Sequence, residues 1–217
     1  MKQFICLLLA FFSYSITQAQ TVKLGFKGGL NYSNLSGDLM KSNDQNSKTA
    51  FHGGISANVG LGYFLSFQPE VILSQKGYQY MENEVRTGNS VYERKGKVNY
   101  TYIDVPLLLR LKAKGLFAEL GPQLSYLTGI QDRTEVSINN IEQKEVQRIS
   151  KGDMEPWELG FATGLGYQTE KGISIGLRYN GKIKNFAREN ANNSLTNARF
   201  AVLQLQAGIL LSSFSQL

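Results

Sequence analysis

Cysteine and histidine are nearly missing from this chain of 217 residues, since Cys6 and His52 are single occurrences. Cys6 lies within an apolar amino-terminal segment. If that segment is removed on secretion, the remaining chain has no disulfide, no thiolate nucleophile and no cysteine metal ligand. The sequence also has no metal-ligand cluster, no glycine-rich phosphate loop and no nucleophile elbow. We therefore predict no catalytic, metal-binding or cofactor-binding residues, and no enzymatic activity.

Long apolar runs are missing as well after residue 12. The run over residues 4–12 is too short for a membrane-spanning helix, which takes about 20 residues. It follows Lys2 and precedes Thr17-Gln18-Ala19, which resembles a signal-peptidase site, so residues 1–19 are predicted to be a secretory signal peptide. Residues 20–217 then form one domain. Without a second apolar helix, such a domain enters a membrane only as a closed barrel.

Clusters of like charge are also missing from the sequence. The chain has 23 basic and 17 acidic residues and a formal net charge of +6. These charges are spread along the sequence, with no block of lysine and arginine of the kind that binds nucleic acid. No nucleic-acid partner is predicted.

Alternation of apolar and polar residues is what the chain has in abundance. The stretch from Tyr100 to Thr128 shows it best, where two strands flank a short polar turn. On one face lie Ile103, Val105, Leu107, Leu109, Leu111, Leu116, Ala118, Leu120, Pro122, Leu124 and Tyr126. On the other lie Tyr102, Asp104, Pro106, Leu108, Arg110, Glu119, Gly121, Gln123 and Ser125. A period of two places these sets on opposite faces of a β-hairpin. A soluble sheet buries the apolar face, whereas a transmembrane barrel turns it toward lipid.

The same alternation recurs in eight segments, each long enough to cross a bilayer as a tilted strand. They cover approximately residues 22–32, 51–61, 65–73, 103–111, 116–126, 157–167, 173–179 and 203–211. The connections are alternately short, at 62–64, 112–114 and 168–172, and long, at 34–48, 81–97, 129–155 and 181–198. The third long connection has room for a helical turn around residues 141–149. Short periplasmic turns and long external loops are typical of outer-membrane barrels, and aromatic residues near the strand ends suit interfacial girdles.

These features predict an all-β fold, an eight-stranded antiparallel up-and-down transmembrane β-barrel in the cell outer membrane, in contact with outer-membrane lipid. The alternative is a soluble secreted barrel of the lipocalin kind, which does not require alternating short and long connections.

Several segments resemble the PorT-like, or porin-family, outer-membrane β-barrel proteins of Gram-negative bacteria. They are Gln68-Pro69-Glu70, Ser74-Gln75-Lys76-Gly77, Tyr102-Ile103-Asp104-Val105-Pro106-Leu107-Leu108-Leu109, Glu119-Leu120-Gly121-Pro122 and Arg178-Tyr179-Asn180. The family usually has glutamate where Asp104 stands. The resemblance covers the chain after the signal segment and implies a small stand-alone barrel. It also implies an accessory role in secretion or envelope assembly, with a protein partner bound through the external loops.

Charged residues on the inward faces form the one candidate site. By parity they are Lys23, Lys27, Glu70, Lys76, Asp104, Arg110, Glu119, Glu158 and Arg178. We predict a structural interior network centred on Lys27, Glu70, Asp104, Arg110, Glu119 and Arg178, because buried charges in a small barrel must pair. Asp104 is expected to pair with Arg110, Lys27 or Arg178. An eight-stranded barrel is just wide enough for its own side chains to fill it, so the network is interpreted as a plug rather than a conduction path.

His52 and Ser56 share one face of a predicted strand and suggest a hydrolase. Four residues along a strand separate them by about 13 Å, too far for a catalytic dyad. His52 is therefore interpreted as a polar histidine near a loop.

Three function classes remain open from the sequence. The favoured one is a non-enzymatic barrel with four long external loops, acting in envelope structure or in partner or ligand interaction. The alternatives are a membrane-embedded lipid-modifying enzyme and a narrow channel for small solutes.

Overall fold

The computed structural model describes residues 22–36, 45–87, 90–138, 141–143, 155–182 and 199–211. Its strands are β1 (Val22–Ser36), β2 (Gln45–Gly60), β3 (Leu65–Thr87), β4 (Ser90–Ala113), β5 (Leu116–Ile138), β6 (Ile141–Gln143), β7 (Trp157–Gln168), β8 (Ile173–Lys182) and β9 (Arg199–Leu210). No helix within these ranges has the length and apolar character that a membrane crossing requires. The predicted signal peptide lies outside the described residues.

The strands form one antiparallel sheet that closes on itself. Pairing follows the chain from β1 to β5, continues through β7, β8 and β9, and returns to β1. The closing register runs from Gly25 opposite Leu210 to Ser36 opposite Arg199. The short β6 pairs only with the end of β5 and stands outside the ring. The prediction of an eight-stranded up-and-down barrel is confirmed.

Side chains face the two sides of the barrel wall as the alternation predicts. On β4, Leu107 and Leu109 are 43% and 52% exposed, whereas Leu108 between them is fully buried. Asp104 and Arg110 share the buried face with Leu108. An apolar outside and a polar inside are the arrangement of a transmembrane barrel, and the reverse of a soluble one.

Aromatic residues mark the limits of the apolar band. Tyr126 and Trp157 pack against each other with ring centroids 4.7 Å apart at one end of β7, and Tyr167 lies near its other end. The ten residue steps from Trp157 to Tyr167, at about 3.3 Å each and inclined by about 40°, span about 25 Å. This equals the height of the apolar band of outer-membrane barrels.

The three short turns lie together at the end of the barrel assigned to the periplasm. They join β2 to β3, β4 to β5 and β7 to β8, as predicted. Gly115 and Gly172 adopt φ angles of 87° there, a backbone conformation that favours glycine. A Cβ atom at Gly115 would lie 2.5 Å from the ring of Tyr167, so this turn also needs glycine for space.

The long connections differ from the prediction in part. Residues 81–97 were expected to form a loop, but β3 and β4 stay paired up to Thr87 opposite Ser90. The connection 129–155 begins as strand, because β5 continues to Ile138 and then pairs with β6. The helical turn expected around residues 141–149 is wrong at 141–143, and its remainder lies outside the described residues. In 34–48, residues 34–36 and 45–48 are strand, whereas residues 37–44 and most of 181–198 lie outside the described residues.

Continuation of three neighbouring strands makes the barrel wall uneven. Strands β3, β4 and β5 have 23, 24 and 23 residues, against 12, 10 and 12 for β7, β8 and β9. The ends of β3, β4 and β5, together with β6, therefore extend beyond the apolar band on the side away from the short turns. We call this part the projecting sheet (residues 81–87, 90–98 and 129–138, with β6). Because these strands remain paired with one another, their backbone N–H and C=O groups keep hydrogen-bond partners beyond the apolar band.

Proline and glycine occur where the ladder between strands is interrupted. Pairing of β4 with β5 skips from Pro106 opposite Gln123 to Leu109 opposite Leu120. Gly121 lies inside this gap, and a Cβ atom there would be 1.9 Å from the Leu107 carbonyl oxygen. Proline cannot donate to a ladder, and glycine permits close approach of a neighbouring backbone.

Candidate functional site: the barrel lumen

The middle of the lumen holds one connected cluster of five charged side chains, which we call the central cluster. Arg178 is its hub, donating to Glu70 at 2.7 and 3.0 Å and to Glu119 at 2.7 Å. Lys27 donates to Glu70 at 2.6 Å. Arg110 donates to Glu119 at 2.7 and 3.2 Å. The five residues come from β1, β3, β4, β5 and β8, so the cluster crosses the full width of the lumen.

Neutral amides complete the hydrogen bonding of this cluster. Gln68 donates to Glu70 at 2.6 Å, and Gln206 donates to Glu119 at 3.2 Å. Gln168 accepts a long bond from Arg110 at 3.4 Å. A buried ion pair is tolerated only when the remaining lone pairs and protons also find partners. The amides supply those partners.

A second group of charges, the upper cluster, lies further from the short turn. Its β4 residues Asp104 and Tyr102 are six and eight residues away from Arg110 of the central cluster. Lys76 pairs with Asp104, its Nζ lying 2.8 Å from Oδ2 and 2.9 Å from Oδ1. The Tyr102 hydroxyl donates to Glu158 at 2.7 Å, and Lys182 forms an ion pair with Glu158. The two ammonium groups also lie near the Tyr102 ring, at 4.6 and 4.9 Å from its centroid. Such cation–π contacts stabilise amines that are shielded from water.

The predicted partners of Asp104 were wrong. Five of the six network residues named from the sequence meet in the central cluster, but Asp104 does not join them. Its ion pair is with Lys76 in the upper cluster. Asp104 lies opposite Ile72 on β3. Lys76 is the second inward-facing residue after Ile72 on that strand, so it reaches Asp104 diagonally.

His52 lies within β2 rather than near a loop, because β2 begins seven residues earlier, at Gln45. Its side chain is 5% exposed, with Nδ1 2.7 Å from the Asn31 amide oxygen. Asn31 also accepts from Gln204 at 2.8 Å and donates to Ser74 at 3.0 Å. Within the described part of the chain, the hydrogen-bond partner that orients His52 is thus a neutral amide rather than a carboxylate.

Bulky aromatic side chains flank the two clusters within the lumen. The Phe117 ring lies at the periplasmic end, 4.0 Å from the Arg110 guanidinium carbon. Tyr78 and Tyr100 stack above the upper cluster with centroids 6.4 Å apart. A cavity beside Lys76 and Glu158 has a volume of about 10 Å³, the space of about one water molecule. Around the two clusters, the described part of the lumen is thus occupied by the chain's own buried side chains.

Metal ligation has no support in the described part of the chain, where no three His, Cys, Asp or Glu side chains are grouped as a metal ion would need. The carboxylates of both clusters are instead occupied by lysine and arginine. Chemically, these arrangements hold strands together.

Sequence reasoning missed Lys182 and the amides. Lys182 was assigned to a loop because apolar alternation on β8 ends at Tyr179, although its position has the inward parity of Arg178 and Asn180. Extending the parity count by one residue pair would have found it. The amides at 68, 168, 204 and 206 carry no charge and gave no signal beyond that parity.

Comparison with known proteins places the fold in context. A family model described as an outer membrane protein beta-barrel domain matches residues 18–187. Among solved structures, Ail of Yersinia pestis shares 10% identity, with 88% of this chain and 99% of that chain covered and a TM-score of 0.42. OprG from Pseudomonas aeruginosa shares 12% identity, with 89% and 98% covered and a TM-score of 0.42. Neisserial surface protein A shares 16% identity, with 86% and 96% covered and a TM-score of 0.37.

A search of curated protein sequences finds no match. The family model covers well over half of the chain, and the closed barrel with its apolar outer face agrees with it. The chain therefore belongs to the outer membrane protein beta-barrel domain family and is a protein of the outer membrane.

Proposed function

We propose that this protein is a non-enzymatic, non-conducting barrel that holds the projecting sheet outside the outer membrane for contact with an envelope or secretion protein. The central cluster is the observation that carries the proposal. It ties five of the eight barrel strands together across the lumen, and Arg178 and Glu70 within it are 1% and 2% exposed. A barrel whose interior is occupied in this way acts through its ends.

Energetics support a closed state. Opening a path for solutes requires separation of Arg178 from Glu70 and Glu119, which leaves uncompensated charges in a narrow lumen. Removal of one partner from a buried pair costs about 3–5 kcal/mol. Such a cost keeps an open form rare.

Planar-bilayer recording of the purified barrel tests the closed lumen. We expect no stable conductance steps from wild type, and also none from Leu107→Ala, a lipid-facing control that leaves the clusters intact. Reproducible nanosiemens openings from wild type would favour the channel alternative and contradict the proposal.

The projecting sheet supplies the contact surface in this proposal. Beyond Tyr126, β5 continues for twelve residues, or about 40 Å of strand. Structured elements outside the membrane are where barrels bind partners. The PorT-like resemblance supports an accessory of secretion or envelope assembly as the specific role.

Shortening of the β3–β4 hairpin tests this role. Residues 82–94 are replaced by Asn-Gly between Met81 and Lys95, which pair directly, so the register of the barrel is kept. We expect the shortened protein to fold, as judged by heat-modifiable migration, and to lose a larger assembly seen by native electrophoresis of outer membranes. The control replaces the periplasmic turn residues Gly62 and Tyr63 by Asn-Gly. An assembly that survives hairpin shortening would show that the sheet is not the contact.

The lipid-modifying enzyme remains the second candidate to be tested. His52→Ala is expected to leave the lipid composition of the envelope unchanged, since Asn31 is its polar partner and Ser56 lies about 13 Å away along the strand. Loss of a lipid modification in this variant would favour the enzyme.

A further inference from the structure

The periplasmic end of the lumen holds two lysines that belong to neither cluster. Lys23 on β1 and Lys112 on β4 face inward by strand parity and are half-buried. Lys112 is repelled electrostatically by Lys23 and Arg110, and Glu170 in the turn between β7 and β8 attracts it. Within the described part of the chain, neither lysine forms an ion pair with a carboxylate. Two like charges therefore share one narrow opening.

The periplasmic half of the lumen has more cations than carboxylates. The central cluster already combines three cations with two carboxylates. With Lys23 and Lys112 added, the described residues of this half place five cations beside two carboxylates. The upper cluster, by contrast, is balanced. Because a charge shielded from water needs a partner, the excess at the periplasmic end favours an anion.

Polar side chains connect the two lysines around the opening. Lys23 lies opposite Asn58 on β2. Asn58 donates to the Ser66 hydroxyl at 2.9 Å, and Ser66 lies opposite Arg110 on β4. Lys112 is the next inward residue after Arg110. We call the arc formed by Lys23, Asn58, Ser66 and Lys112 the basic mouth. Since the Ser66 oxygen accepts from Asn58, the Ser66 hydroxyl can donate its own proton to a ligand.

The basic mouth is bounded on its inner side. The Phe117 ring lies 4.0 Å from the Arg110 guanidinium carbon. The same ring occupies the space beside Gly166, where an added Cβ atom would lie 2.4 Å from it. Behind the ring, Arg110 is paired with Glu119 at 2.7 Å. A solute that enters from the periplasm therefore reaches the lysines and goes no further, which makes the mouth a shallow basin.

We infer that the basic mouth binds a phosphate-type oxyanion that enters from the periplasm. Lys23 and Lys112 supply positive charge from two strands, and Ser66 supplies a neutral donor. Lysine binds phosphate as a point charge, and a phosphate group carries a charge of about −1.5 to −2 at pH 7. Such an anion offsets most of the excess positive charge. The site is independent of the role proposed for the projecting sheet, because it lies at the opposite end of the barrel.

Isothermal titration calorimetry with inorganic phosphate tests the site. The purified barrel is kept in maltoside micelles, which contain no phosphate, at an ionic strength held constant with sodium chloride. Wild type is expected to show one saturable binding event. Lys23→Gln and Lys112→Gln should each weaken binding about tenfold, since each removes a hydrogen bond between charged groups. Ser66→Ala should weaken it about threefold, because it removes a single neutral donor.

Urea unfolding of the same proteins gives a second readout. In the absence of phosphate, Lys112→Gln should be at least as stable as wild type, because it removes the repulsion between Lys112 and Lys23. Phosphate should stabilise wild type, as any ligand of the folded state does, and should stabilise Lys112→Gln much less. A Lys112→Gln barrel that failed to fold, or was less stable than wild type without phosphate, would show that this lysine has a structural partner and would overturn the inference.

Matched controls separate the basic mouth from general attraction to a basic surface. Lys114→Gln and Lys171→Gln each remove a cation that is exposed in a short turn at the same end of the barrel. Both should bind phosphate as wild type does. Lys112→Arg keeps the positive charge at the mouth and should restore most of the affinity that Lys112→Gln loses.

Three further results would overturn the inference. Wild type without saturable binding would show that the lysines hold no oxyanion. Equal loss of affinity in Lys114→Gln or Lys171→Gln would show that the effect is not local. Competition by phosphatidylglycerol added to the micelles would assign the site to a lipid headgroup instead of a dissolved anion.

Discussion

Replacement of Asp104 by leucine is the sharpest test of how the lumen is organised. Asp104 and Lys76 are 2% and 1% exposed and form an ion pair with each other. Asp104→Leu keeps the bulk of the side chain and removes the negative charge. Lys76 then remains buried without its carboxylate.

The magnitude follows from the neighbours that Lys76 retains. Removal of one partner from a buried ion pair destabilises a protein by about 3–5 kcal/mol. The Tyr102 ring, 4.6 Å from the Lys76 Nζ, offsets part of this through a cation–π contact of about 0.5–2 kcal/mol that persists in the variant. We therefore expect a loss of about 3 kcal/mol, the lower end of the range.

The second arm of the experiment removes both charges. Lys76→Met alone should be destabilising, because it leaves Asp104 buried and unpaired. The double variant Asp104→Leu with Lys76→Met should recover much of the loss, since replacement of both partners by apolar residues is often neutral or stabilising. A coupling free energy of about 1–3 kcal/mol between the two sites is expected.

Urea unfolding in lipid vesicles measures all four proteins side by side. A neutral Asp104→Leu variant would refute the reasoning, and so would a double variant that is as unstable as the sum of the single ones. If Arg110→Leu coupled to Asp104→Leu instead, the partner first expected from the sequence would be right and the structural pairing wrong.

Substitutions at four other positions probe the wall and the two clusters by the same assay. Leu107→Arg places a cation in lipid and should cost about 2–4 kcal/mol. Leu107→Lys should have a similar effect, and Leu107→Ala should cost far less. A tolerated arginine would contradict the facing of β4. Gly121→Ala should cost about 1–3 kcal/mol by overpacking, because its Cβ atom would lie 1.9 Å from the Leu107 carbonyl oxygen. A stability equal to wild type would show that the gap in the ladder does not require glycine. Glu119→Gln removes the negative charge that Arg178 and Arg110 share and should cost about 3–5 kcal/mol. Tyr102→Phe loses one hydroxyl bond to Glu158 and should cost about 1–3 kcal/mol. The opposite ranking would argue against a central cluster that carries more stability than the upper one.

Facing of the strands could be predicted because it depends only on local geometry. A period of two assigns each residue to a side of the wall whatever the neighbouring strand does. Asp104, Arg110 and Glu119 were therefore placed in the lumen correctly. The short turns were also predictable, since Gly115 and Gly172 break the alternation at positions that require glycine.

Pairing within the lumen could not be predicted in the same way. Which charges meet depends on the stagger between strands and on their tilt, which are properties of barrel closure rather than of any segment. Arg110 lies opposite Glu119 on the adjacent strand, so that contact follows from the hairpin register. Lys76 reaches Asp104 diagonally, and Arg178 reaches Glu70 across the lumen, and neither contact has a signature in the sequence.

Strand length was underestimated for a related reason. Apolar alternation reports lipid contact, and it stops where a strand leaves the membrane. Beyond Tyr126 polar and charged residues interrupt the alternation of the β5 sequence, although β4 continues to pair with it as far as Tyr92 opposite Ile138. Hydrogen bonding continues in water, but the pattern that reveals it does not.

The uneven wall separates two parts of the barrel that the sequence alone left merged. The long strands β3, β4 and β5 rise on one side and carry the projecting sheet, whereas the apolar band faces lipid around the barrel. Inside the band, the central cluster connects β1, β3, β4, β5 and β8. Because packed interiors resist continuous deformation, loss of the projecting hairpin should not loosen the lumen. Hairpin shortening should accordingly leave the urea unfolding of the barrel in lipid vesicles close to that of wild type. A shortened protein that unfolded at a much lower urea concentration would mean that the sheet stabilises the lumen, and that the barrel is more than an anchor.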